Sequence, residues 1–230
     1  MGELIDMEGA RALVADRALW PRVRDFLWDF APQVHPSWIE ALEDLPASVA
    51  SGLMSSPRVK RAILSAFGVE PCFHSFPKDD WSRLLLLDGA TLESISKWLG
   101  ALACADRLRG VTDGKTVRAL KTALPGIYPE VFGYTMYFPR DCFSRKDAEV
   151  QGKASEISGD IVAQEGVVIL FSLLSRLPQA LYIRAKCKLP LSLSDYASLG
   201  ETTVPQPTLG AALSKLLKLK FPEAYSLCCS

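Results

Sequence analysis

Apolar residues recur along this chain at spacings of three and four, in short segments that proline or glycine closes. That pattern predicts amphipathic helices, each burying one face. Leu13, Leu19, Trp20, Val23, Phe26, Leu27 and Phe30 form one such stripe between Glu8 and Phe30, which Pro21 divides into two helices. Next comes His35-Pro36-Ser37-Trp38-Ile39-Glu40: a chain stop, a helix start and an aromatic anchor in six residues. Ser37 is expected to cap the free amides and Glu40 to close a capping box, in a helix ending near Leu45-Pro46 with Trp38 buried.

The same reading gives a short helix from Pro57 to a glycine stop at Gly68, a loop from Pro71 to Pro77, and a nearly all-buried helix from Trp81 to Leu87. Thr91 is the expected cap of a longer helix, with Leu92, Ile95, Trp98, Leu99, Leu102 and Leu108 on its stripe and Gly110 as its stop. Thr112 and Asp113 can cap the next, which turns Val117, Leu120 and Leu124 inward and Arg118 and Lys121 outward until Pro125-Gly126. Two segments leave a strand open: Thr135–Phe138, and Val167–Phe171, whose following leucines at 173, 174 and 177 favour a buried helix reached through a polar helix beyond Ser144. A helix over Gln179–Lys188 follows. The expected fold is mainly α, a compact multi-helix domain with at most a few short strands. It divides into a helical domain over 1–189, a Pro, Ser and Thr-rich linker over 190–208, and a carboxy-terminal helix over 209–230 packed on the same domain. In that last helix Leu209, Leu213, Leu216, Leu217 and Phe221 share a face, which suits a core helix better than a membrane-surface one, because Gly210 weakens it and its lysines are few.

Composition restricts function. With 230 residues, 49% hydrophobic and 23% charged, the chain can bury a substantial core. Its 26 basic and 26 acidic residues cancel, so no overall field favours nucleic acid or an anionic bilayer, although residues 1–50 carry nine acids against four bases. The six cysteines form no Cys-x-x-Cys pair and there are two histidines, so neither a metal site nor a cofactor is expected. The first residues lack the basic and apolar regions of a signal peptide, which predicts reduced thiols in a cytoplasm. The apolar run Val167–Phe171 is far shorter than the ~20 residues of a membrane span.

Catalytic patterns are incomplete wherever they begin. Asp113-Gly114-Lys115-Thr116 resembles the end of a phosphate-binding loop, but Arg109 stands where that motif needs its first glycine, so a helix-start turn is the reading. Ser94 and Lys97 match Ser-x-x-Lys without its partner motifs, and there is no Gly-x-Ser-x-Gly elbow. The tail Cys228-Cys229-Ser230 misses a prenylation box, since Leu227 occupies its cysteine position. The basic cluster Arg107, Arg109, Lys115, Arg118 and Lys121 lacks interleaved aromatics, so it reads as solvated helix faces or, more sharply, as a protein-docking face. A small enzyme using Cys104 or Cys142 and a chaperone for an apolar partner are the rival readings.

Several blocks occur in a recognisable order. They are His35-Pro36-Ser37-Trp38-Ile39, then Leu84 to Leu87 through Asp88-Gly89 to Trp98-Leu99-Gly100-Ala101-Leu102, then Leu108-Arg109-Gly110-Val111. Asp113-Gly114-Lys115-Thr116-Val117-Arg118-Ala119-Leu120, Ala123-Leu124 and Tyr128 complete the series. In this order the chain resembles the K subunits of bacterial type III secretion systems, the SctK or YscK family. It departs from their pattern in the proline-stiffened turn Leu124–Pro129 and in the carboxy-terminal third. The resemblance implies a non-enzymatic adaptor of the cytoplasmic sorting platform, linking the cytoplasmic domain of the inner-membrane ring protein to the pod (C-ring-like) protein. It further implies a cytoplasmic protein, monomeric in isolation, that binds no nucleic acid and reaches the membrane through protein contacts alone.

Overall fold

The computed structural model describes residues 19–43, 65, 68, 80–138, 140–143, 157–198 and 205–229. Every regular element among them is helical: α1 Trp20–Trp28, α2 Pro36–Glu43, a 3-10 helix Asp80–Leu86, α3 Gly89–Ala103, α4 Ala105–Arg109, α5 Gly114–Ala123 and α6 Ile127–Tyr134. Then follow α7 Gly159–Leu174, α8 Gln179–Cys187, α9 Leu191–Ser194, α10 Gln206–Lys220 and α11 Pro222–Cys229, with short 3-10 turns between. Both strand candidates are therefore helical: Thr135–Tyr137 is a 3-10 turn, and Val167–Phe171 lies inside α7 with each of its residues buried. The expected elements over 8–18, 57–67 apart from Ser65, 71–77 and 144–156 lie outside the described residues.

The described helices belong to two compact units. One comprises the chain up to Gly89, Arg176–Leu191 and the end from Leu227. Val23, Phe26 and Leu27 of α1 are buried, as are Leu84 to Leu87, Leu181 and Ala185. Pro21 stands in the first turn of α1, where its missing N–H costs nothing. The start of α2 departs from the expected capping box: Pro36, and not Trp38, opens the helix, so the cap falls to His35. The His35 Nδ1 accepts from the Ser37 N–H at 3.2 Å and lies 2.8 Å from Ser37 Oγ. Ser37 is freed for a distant partner, accepting from the Leu191 N–H at 2.9 Å. His35 N–H donates to Cys187 O at 2.8 Å, and Trp38 Nε1 donates to Leu189 O at 2.9 Å. Three hydrogen bonds thus strap the amino end of α2 to residues 187–191. Trp38 itself is half-buried, not enclosed; Ile39 beside it is the buried residue.

Among the described residues of this unit, two cationic side chains are buried. Arg184 and Lys188, four apart and both 1% exposed, satisfy backbone carbonyls at helix ends that have no intrahelical donor. Arg184 Nη2 donates to Leu27 O in the last turn of α1 at 3.4 Å. Lys188 Nζ donates to the carbonyls of Leu85 and, at 2.7 Å, Leu87. Phe26 and Phe30, in edge-to-face contact, offer ring faces to Lys188 and Arg184 respectively.

The second unit comprises Ala90–Ser175 and Ser192–Ser226. Its helices α3 and α7 meet backbone to backbone. A Cβ on Gly100 would lie 1.8 Å from Val162 O, and one on Gly166 would lie 1.7 Å from Ser96 O, so only glycine permits this approach. Ser158 caps α7 by accepting from the Ile161 N–H. The Leu92, Ile95, Trp98, Leu99, Leu102 and Leu108 stripe is buried as expected, but α3 starts at Gly89, ahead of Thr91, and breaks at Cys104 before α4. The stretch 190–208, read as a linker, contains α9 and a 3-10 turn over Asp195–Ser198, with Leu193, Ser194 and Ala197 buried. In α10 the leucines 209, 213, 216 and 217 are fully buried, and the single helix expected over 209–230 is divided at Phe221, after which α11 begins.

Candidate functional site

Asp113 starts α5 as the sequence reading requires, accepting from the Thr116 N–H and hydroxyl, each at 2.7 Å. These bonds, the Thr116 amide foremost, hold the Asp113 carboxyl below its ordinary range. The Asp113-Gly114-Lys115-Thr116 sequence is thus a capped helix start. Gly114 is exposed, with open space where a Cβ would stand. Leu120 and Leu124 are buried, and Lys115, Arg118 and Lys121, three apart along α5, are all exposed. Their spacing places them on one helical face.

Arg107 and Arg109, the other two members of the basic cluster, sit on α4 beyond the Gly110–Asp113 turn and are used differently. Arg107 is half-buried and hydrogen-bonds Cys104, whose thiol burial pushes up to about 12, with Glu165 adding to the rise. Burial raises the Cys187 thiol likewise to about 12. Arg109 turns away from α5: its Nη1 pairs with Asp106 at 2.7 Å, its Nη2 donates to Thr135 Oγ1 at 2.5 Å, and its guanidinium covers the Phe132 ring.

These contacts place Arg109 on a cleft of about 380 Å³. Leu102, Ala103 and Ala105 line it from α3 and α4, and Phe132, Phe138 and Phe143 from α6 and the turns after it. Asp106, Thr135 and Met136 complete the lining. Met136 is 79% exposed and the neighbouring Tyr137 46%. Lys215 of α10 donates to Tyr137 O at 2.8 Å with its ammonium over the Tyr137 and Phe138 rings.

No protein-family model, curated protein or solved structure matches the chain.

A second aromatic arrangement is already filled. Trp98 and Tyr134 stand edge to face at 5.5 Å, and Lys220 at the end of α10 places its ammonium 4.7 and 4.3 Å from their ring centres while pairing with Glu130. The Lys220 ammonium is raised above its ordinary value, since hydrogen bonds to Glu130 and Tyr134 outweigh desolvation. Trp98 therefore serves as one wall of a cation site, beyond its expected place on the apolar stripe. Met136, Phe143, Lys215 and Lys220 carry no sequence motif; only tertiary packing brings them to these positions. Among the described residues, no group of histidine, cysteine and carboxylate side chains is arranged to hold a metal ion, and no helix is long and apolar enough to cross a membrane.

Proposed function

We propose that this chain is a non-enzymatic adaptor of a type III secretion sorting platform, joining the cytoplasmic domain of the inner-membrane ring protein to the pod protein. The observation that carries the reading is the α5 face of Lys115, Arg118 and Lys121, exposed on a helix that Asp113 caps and Leu120 anchors. Such a face suits an acidic partner surface, where complementary charge sets orientation and association rate. The blocks on which the resemblance to the K subunits rests also supply structural devices of this chain: the strapped His35–Trp38 corner, the Gly100 contact of α3 and the capped start of α5.

The proposed adaptor works in the cytoplasm at the inner face of the membrane, held there through proteins, and is a monomer when isolated. The raised Cys104 thiol supports this reading over an enzyme that uses Cys104, because a nucleophilic cysteine needs its thiolate. Pull-downs with the ring's cytoplasmic domain and with the pod protein test the assignment. Both should be retained, and Arg118→Glu with Lys121→Glu should release one of them while leaving the melting temperature unchanged. Retention of neither protein by the wild-type chain overturns the assignment. Host deletion separates the adaptor from a chaperone: losing an adaptor stops all export, losing a chaperone only that of its clients.

A further inference from the structure

We propose that the cleft beside Arg109 is a docking site for a segment of a partner protein that presents a large apolar side chain next to carboxylates. The inference rests on the adaptor reading for its partner class and on the cleft itself for the chemistry. Three phenylalanines, 132, 138 and 143, give it apolar walls, and its volume of about 380 Å³ accommodates side chains, not a whole helix. Met136 of the lining is 79% exposed and its chain neighbour Tyr137 46%. A small molecule confined to the cleft would meet Met136 and leave Tyr137 in water, whereas a longer chain segment can cover both. Methionine suits that place, since its flexible thioether adapts to an incoming surface.

Charge selects among such segments. Arg109 lines the cleft with its side chain 44% exposed, and Lys215, outside the lining, holds its ammonium over the ring of the lining residue Phe138. Asp106 is the acid in the lining, and Arg109 already holds it. Arg109 uses one N–H toward Asp106 and one toward Thr135, and Lys215 uses one toward the Tyr137 carbonyl. A guanidinium carries five N–H donors and an ammonium three, so both cations retain donors for arriving carboxylates. The cleft thus sets phenylalanine side chains beside the Arg109 guanidinium, the complement of an acidic segment with a leucine or phenylalanine anchor.

Fluorescence anisotropy with the full chain tests this. The probe is a blocked, fluorescein-labelled peptide carrying Leu-Phe between glutamates; the controls are the same peptide with lysines for glutamates, and vesicles of phosphatidylglycerol and phosphatidylcholine. The acidic peptide should bind, the basic one should not, and Met136→Asp and Arg109→Ala should each weaken binding about tenfold or more. Met136 is so exposed that its replacement should leave the melting temperature unchanged, which separates lost binding from lost folding. Equal binding of both peptides, no binding of either, or wild-type affinity in Met136→Asp overturns the proposal. Vesicle binding that Met136→Asp abolishes overturns it in favour of a lipid surface. Peptide binding without capture of ring or pod protein would remove the adaptor reading and keep the cleft. Capture of both by wild type and Met136→Asp alike, with no peptide bound, would do the reverse.

Discussion

Trp38 Nε1 donates to the carbonyl of Leu189 at 2.9 Å, tying residues 151 positions apart in the chain. With the bonds from His35 to Cys187 and from Leu191 to Ser37, it makes the amino end of α2 a structural corner. Trp38→Phe keeps the ring but leaves that carbonyl without its donor, an expected loss of about 1–2 kcal/mol. Trp38→Ala should cost more, about 2–3 kcal/mol, below the full penalty for a buried tryptophan because part of this one is in water. Urea midpoints of the two variants check the order, and a Trp38→Phe variant as stable as wild type contradicts the role of the bond.

Gly166 and Gly114 should respond oppositely to alanine. Alanine is the better helix former by about 1 kcal/mol, and around Gly114 nothing opposes it. At Gly166 the new methyl would stand 1.7 Å from Ser96 O, a backbone atom that no side-chain rotation can remove. Overpacking should win there, with a net loss of about 3 kcal/mol or more, while Gly114→Ala is neutral or stabilising by up to about 1 kcal/mol. Thermal melts of both variants decide; a harmless Gly166→Ala would mean that α3 and α7 do not touch at that point.

Lys188 links stability to alkaline pH. Burial pulls its ammonium from the ordinary 10.5 down to about 7, against the attraction of Asp88. Between those values the unfolded chain holds a proton that the folded chain has released, so stability rises with pH across the window and is flat in this group below it. The slope should approach, at most, about 1.4 kcal/mol per pH unit. Lys188→Met should flatten it, and it should also cost about 1–3 kcal/mol because Leu85 O and Leu87 O lose a donor. Urea titrations at several pH values above neutrality give the answer. An unchanged slope in the variant would assign the pH dependence elsewhere.

Lys220→Met should lower stability by about 1 kcal/mol, since its ammonium is 18% exposed and sits between two ring faces and the half-exposed Glu130 carboxylate. High salt should weaken the wild type toward the variant by screening only the Glu130 part. A variant that melts with the wild type at low salt would show that the aromatic walls do not hold α10.

Much of the fold is legible in the sequence, because helix starts and stops follow from local chemistry. Pro21, Asp113 and Gln179 mark starts that the structure bears out or places within a residue or two, whereas the cap at Ser158 interrupts a helix read as running through Ile157 into Ile161. The cap of α2 is misread for a local reason: Ser37 and His35 can both accept from a free amide, and Pro36 fits the first helical position so well that the cap moves upstream to His35. The strand alternatives fail because the β preference of Thr135–Phe138 and Val167–Phe171 is weak beside helical packing. Arg184 and Lys188 look like solvated residues in the sequence, since the carbonyls that bury them lie about a hundred residues or more away. The candidate site divides in the same way. The α5 cations follow from helical spacing, whereas Arg109 leaves their group only through Thr135 and Phe132, contacts that no local pattern encodes.

The central claim is that one chain bridges two proteins. Size-exclusion chromatography of the ring's cytoplasmic domain, this chain and the pod protein tests it most directly. The account predicts a single ternary complex containing all three, and separate elution of the ring domain and the pod protein when the chain is omitted. Association of those two without it, or binding of either partner only at the expense of the other, would contradict the bridge.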